Sequence, residues 1–199
     1  MSAAPTPMYH AGARHLQDAF DTRRLADRLE QRLARHAFND DDAAFIASQA
    51  MFMLATADAN GWPECSYKGG APGFVRLEDE RTLVFPSYDG NGMFRSLGNM
   101  LVNPRVGLLF IDFEKPRRLR VQGLATLHYD LPLLASFDGA QRVVRVAVEC
   151  IFPNCPRYIH PMKQMAVSEH APRPGHTPPG AAWKSFEMFR DVLPEPAQP

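Results

Sequence analysis

Between Ser66 and Gly123 the chain never runs far without a turn. The stretch SYKGGAPGFVRLEDERTLVFPSYDGNGMFRSLGNMLVNPRVGLLFIDFEKPRRLRVQG alternates short strand-like runs with Gly, Asn and Pro breaks. Runs this short exclude a long helical bundle, and the spacing leaves little room for helical crossovers between parallel strands. Met51–Thr56 reads as a buried strand and Trp62–Tyr67 as its hairpin partner, joined through Asp58-Ala59-Asn60-Gly61. Gly69-Gly70-Ala71-Pro72-Gly73 interrupts the second strand, and Phe74–Leu77 resumes it. Thr82–Phe85, the apolar Val106–Phe113, the alternating Arg118–Gln122 with its extension to Tyr129, and Arg142–Ile151 complete six strands. A short helix from Met93 to Leu101 separates two of them and stops at Asn103-Pro104. The expected architecture is mainly β with flanking helices, a six-stranded barrel.

Three segments follow. Residues 1–38 form a tail and a helix, 39–165 the barrel, and 166–199 an extended tail anchored by Trp183 and Phe186. In the first, Leu25, Leu29 and Leu33 recur every four residues, which predicts one helix over Arg14–His36 packing that face on the barrel. Asn39 or Asp40 caps a second helix whose first turn carries Asp41 and Asp42.

With 22 basic and 22 acidic side chains the chain is formally neutral, so a nucleic-acid partner is not expected. The N-terminus lacks the apolar core of a signal peptide, and no apolar run is long enough to span a bilayer. Cys65, Cys150 and Cys155 are too few and odd in number for a disulfide framework, which points to a reducing, cytoplasmic location. Cys150, Cys155 and His160 lack a fourth ligand at a regular interval, so no metal site is expected.

Three polar groupings stand out. Ser66 and Lys68 are two apart in a strand and share a face. Followed by Gly69-Gly70 they suit a phosphate, or simply form the polar face of an edge strand. The loop and helix start GNGMFRSLGN presents free N–H groups, with Arg95 in the first turn and Asn99 one turn later. It reads as an anion site or as an ordinary strand-to-helix turn. Arg118, Arg120 and Gln122 project to one side of their strand, toward ligand, subunit or solvent. No nucleophile elbow or metalloprotease helix motif occurs, and no catalytic residue is singled out.

Taken in order, TADANGWPECSYKGGAPGFVRL, LVFPSYDGNGMFRSLGN and NPRVGLLFIDFEKPRRLRVQGLA resemble the pyridoxamine 5'-phosphate oxidase-related, FMN-binding split-barrel flavoproteins over roughly Phe45 to Leu127, with a weaker echo at FPNCPRYIHP. The resemblance implies a split β-barrel, a homodimer, and FMN at the subunit interface. It implies that Ser66, Lys68, Arg95 and Ser96 hold the flavin phosphate, with Asn91 and Asn99 on the same rim. Arg118 and Arg120 would line the flavin, and NCPRYI would reach the partner's cofactor. The implied activity is that of an oxidoreductase passing hydride or electrons through FMN between a small substrate, NADH or NADPH among the candidates, and an acceptor. A non-catalytic flavin- or haem-binding module is the alternative. The loop carries Gly90-Asn91-Gly92 where pyridoxamine phosphate oxidases proper carry Ser-Arg-Lys, and their C-terminal Trp and Arg-x-His motif is not evident. The vitamin B6 reaction is therefore the least expected of the three.

Overall fold

The computed structural model describes residues 8–194. Seven antiparallel strands form one sheet in the order β2-β1-β5-β6-β7-β4-β3. They are β1 (Met51–Ala57), β2 (Pro63–Gly69), β3 (Arg76–Asp79), β4 (Thr82–Ser87), β5 (Arg105–Asp112), β6 (Arg117–His128) and β7 (Arg142–Pro153). The sheet curls on itself. Phe52 on β1 and Phe85 on β4 stand four strands apart in that order, yet their rings meet edge to face at 5.0 Å. Phe74 and Phe110 also pack on Phe52, which is fully buried. The two outer strands, β2 and β3, do not pair, so the barrel is split between them.

The mainly β architecture agrees with the sequence expectation, but the strand count does not. Residues after Gly73 do not resume β2. They cross the split and form β3, a seventh strand paired with β4 at the far edge. Composition marks the Gly-rich break but not the direction the chain takes beyond it. Pro86 lies inside β4, opposite Val143, at a point beyond the end of β3. That side of the strand carries no ladder there, so a residue without an N–H is tolerated. Gly123 of β6 sits opposite a bulge at Glu149 of β7, where an added Cβ would lie 2.3 Å from the Ala147 carbonyl oxygen.

The expected single helix over Arg14–His36 is two helices, α1 (Ala11–Ala19) and α2 (Arg23–Leu33). Asp21 takes φ 51° between them, and the Thr22 N–H donates to the Gln17 carbonyl at 2.8 Å. Nor does the leucine face pack on the barrel. Leu25 and Leu29 are 59% and 43% exposed, and Ala26 is the buried residue of α2. Spacing by four marks one helical face without saying what covers it.

α3 (Asp40–Ser48) begins with a capping box. Asn39 accepts from the Asp42 N–H at 2.8 Å, and Asp42 accepts from the Asn39 N–H at 3.2 Å. Asp42 is almost fully buried and ion-paired to Arg35. α4 (Arg95–Val102) lies against β1, β2 and β6 and buries Leu97 and Met100 in the core. α5 (Leu131–Ala135) precedes β7. The tail is held differently from expectation: Trp183 packs edge-on against Phe189 at 5.6 Å, Lys184 pairs with Asp89 at 2.5 Å, and Phe186 is exposed. Among the described residues no helix is long and apolar enough to cross a membrane.

Candidate functional site

β2 sets the first half of the site by simple alternation. Glu64, Ser66 and Lys68 project to the side that faces the barrel interior, opposite Thr56, Leu54 and Phe52 of β1. Cys65 and Tyr67 point to the outer side and are exposed. α4 lays its first turns over the polar residues. Lys68 Nζ donates to Ser96 Oγ at 3.4 Å, and Asn99 Nδ2 donates to Thr56 Oγ1 at 3.0 Å. Thr56 Oγ1 in turn donates to Glu64 Oε2 at 2.9 Å. Four of the expected residues, Ser66, Lys68, Ser96 and Asn99, therefore gather between β2 and α4.

The electrostatics of this corner favour an anion. Lys68 is half-buried and has no ion-pair partner among the described residues. Burial holds its ammonium below the usual lysine range, while the nearby Glu64 acts in the opposite sense. The N-terminus of α4 has no side-chain cap, so its first N–H groups are left for another acceptor. The residue before it, Phe94, is held at φ 50°, a conformation that costs a non-glycine residue on the order of 1 kcal/mol. Arg142, opposite Ser87 on the β4–β7 ladder, lies over the Phe94 ring at 4.8 Å and the Tyr129 ring at 5.6 Å. It adds a second cation beside the helix start.

Other expected residues stand apart. Arg95 follows Phe94 in the first turn of α4 but is exposed, and it makes no hydrogen bond or ion pair among the described residues. The Asn91 side chain accepts from the Met93 N–H at 3.1 Å and so shapes its own loop. Arg118 and Arg120 face outward, opposite Ile111 and Leu109 on β5, while Leu119 and Val121 enter the core. They lie on the other face of the sheet from Lys68 and three strands away, about 14 Å at usual strand spacing.

The outer pair is itself unusual. Arg118 Nε is fully buried without a hydrogen-bond partner. Arg120 lies over the Phe152 ring at 5.7 Å, and burial followed by the charge of Arg118 holds its guanidinium below the usual value. The expected NCPRYI segment follows β7 beside this pair. Hydrogen bonds from Arg157, backbone first, hold the exposed Cys155 thiol below the usual range, with a further contribution from Arg118.

Thr56, Glu64 and Arg142 were not expected from the sequence. Thr56 had a signal, since it is the one polar residue in MFMLATA. Glu64 shares the alternation of Ser66 and Lys68. Arg142 had none, because only the β4–β7 register brings it to the α4 start.

A split antiparallel barrel with a polar corner under an uncapped helix is the setting in which the family comparison falls. The profile of the family described as Pyridoxamine 5'-phosphate oxidase matches residues 38–169, and the chain belongs to that family. Solved structures similar to it include HupZ of Group A Streptococcus, at 23% identity and TM-score 0.48 over 58% of this chain and 93% of that one. A candidate pyridoxamine 5'-phosphate oxidase of Lactobacillus delbrueckii is similar at 21% identity and TM-score 0.49, over 59% and 95% of the two chains. No curated relative matches the chain.

Proposed function

We propose that this protein is an FMN-binding oxidoreductase whose β2–α4 corner grips the flavin phosphate. The observation that carries the reading is Lys68, a desolvated ammonium with no ion pair among the described residues, bonded to Ser96 at an uncapped helix start. Ser66 and Ser96 supply hydroxyls and α4 supplies N–H groups. Arg95 and Arg142 provide further positive charge at the mouth. Asn99, Thr56 and Glu64 fix the floor, because their chain of hydrogen bonds ties α4 to β1 and β2.

Bound FMN supplies hydride and electron transfer. The protein's part is to hold the phosphate, orient the ring and exclude water, for which no general base is required. Arg118 and Arg120 enter this reading only across a subunit interface. In the proposed homodimer, the outer-face arginines of one protomer serve the flavin held by the other. The orphaned Arg118 Nε supports this, since a buried donor without an acceptor is costly until something fills the place.

Titrating the protein with FMN and with riboflavin, by quenching of flavin fluorescence, tests the reading. One FMN per chain is expected, bound at least tenfold tighter than riboflavin, which lacks the phosphate. Equal affinity for the two, or no uptake of either at micromolar levels, overturns it. If FMN binds and neither NADH nor NADPH reduces it, and no substrate reoxidises it after chemical reduction, a non-catalytic binding module replaces the enzyme.

A further inference from the structure

A cleft of about 840 Å³ opens on the outer face of the sheet, away from the β2–α4 corner. Its floor is apolar: Met51 and Ile111 from the strands, Phe113 from the turn after β5, and Met162 and Val167 from the segment after β7. That segment crosses the split as a strap. The Met162 N–H donates to the Phe113 carbonyl at 3.1 Å, and the Gln164 N–H donates to Glu114 Oε1 at 3.3 Å. At its far end Pro172 lies so close to Gly139 that a Cβ there would meet it at 2.9 Å. The volume is that of a small-molecule site, about 300–1,000 Å³.

The polar lining is specific. Gln49 is 8% exposed, and its amide nitrogen donates to Ser48 Oγ at 3.0 Å. Its Oε1 has no partner among the described residues, yet it is not among their sealed orphan atoms. It is therefore reached from the cleft it lines. At the rim stand Lys115 and Lys163, both exposed and neither ion-paired among the described residues. Two carboxylates share the rim and hold backbone N–H groups. Asp112 Oδ1 accepts the N–H groups of Glu114 and Lys115, each at 2.9 Å, and Glu114 holds the strap. The His170 Nδ1 faces the Pro179 carbonyl at 3.4 Å, which leaves Nε2 toward Glu169 at 4.0 Å.

We infer that this cleft is a second small-molecule site, for an apolar organic acid whose body lies on the Met51–Ile111 floor, whose acid group meets Lys115 and Lys163, and whose N–H or O–H meets Gln49. The apolar floor excludes a bare inorganic anion, and the two lysines discriminate against a neutral ligand. The site shares no residue with the phosphate corner, but its floor residue Ile111 pairs with Arg118, which the flavin reading gives to the subunit interface, so a flavin-free titration keeps the two readings apart.

The test is calorimetric titration of the full chain, free of flavin, with 6-hydroxy-2-naphthoate and with its methyl ester. One naphthoate per chain is expected. Lys115→Gln with Lys163→Gln weakens it at least tenfold and leaves the ester unchanged. Val167→Trp, at a half-buried strap position, takes up part of the cleft and weakens both. No saturable binding below millimolar concentration overturns the inference. So does a double variant within twofold of the parent, which would put the probe on the exposed leucines of α1 and α2.

Discussion

Lys68→Met removes the ammonium at the centre of the phosphate corner while keeping the length and apolar volume of its stem. Among the described residues the one hydrogen bond lost is the 3.4 Å contact to Ser96 Oγ, which is long for its type, and no ion pair is broken. Folding should therefore lose almost nothing, and relief from a desolvated charge leaves the melting temperature of the ligand-free protein unchanged or slightly raised. Binding is another matter. A charge-assisted hydrogen bond to a phosphate contributes roughly 1.5–3 kcal/mol. At about 1.4 kcal/mol per tenfold, FMN affinity falls about 10- to 150-fold, while riboflavin affinity does not move. Flavin fluorescence titration and a thermal melt of the same preparation read both effects. The reasoning fails if FMN and riboflavin weaken together, or if the variant melts as early as Phe52→Ala, whose ring removal costs about 3–5 kcal/mol at the fully buried hub of the core.

Other consequences are open to measurement. Because burial lowers the Lys68 pKa, the folded chain sheds this proton at lower pH than the unfolded chain does. Ligand-free stability gains from this group as pH climbs from the depressed folded value to the ordinary one, and FMN affinity falls over the same alkaline window; both trends vanish in Lys68→Met. Asp42→Ala leaves Arg35 without its buried partner and removes half of the α3 capping box, and denaturant unfolding should show a loss of about 3–5 kcal/mol. Gly123→Ala drives a Cβ into the Ala147 carbonyl beside the β7 bulge and should cost about 1–3 kcal/mol by the same measurement. Leu25→Ser with Leu29→Ser, on the exposed face of α2, should shift stability by no more than about 0.5 kcal/mol per site; a loss of core size would mean that the face is covered.

β1, β4 and β5 were legible as apolar runs, and β6 and β7 by period-two alternation. Arg118, Arg120 and Gln122 were correctly seen to share a side. Alternation within one strand does not relate its two faces to those of another strand, so the sequence did not reveal that this side is opposite to the one carrying Lys68. The same limit hid β3. The Gly69–Gly73 break is visible, but the crossing of the split depends on Phe74 packing against Phe52 deep in the core. The break between α1 and α2 rests on one residue, Asp21, in a left-handed conformation that Asp tolerates but does not require. The corner itself was half legible. Ser66, Lys68, Ser96 and Asn99 follow from strand and helix spacing, whereas Arg142 arrives through a ladder formed late in the chain.

A crystal structure of the protein grown with FMN tests the phosphate corner most directly. Phosphate oxygens about 2.7–3.2 Å from Lys68 Nζ and Ser96 Oγ, at the start of α4, are the predicted result. A flavin whose phosphate instead sits on Arg118 and Arg120, with Lys68 still bonded only to Ser96, would contradict it.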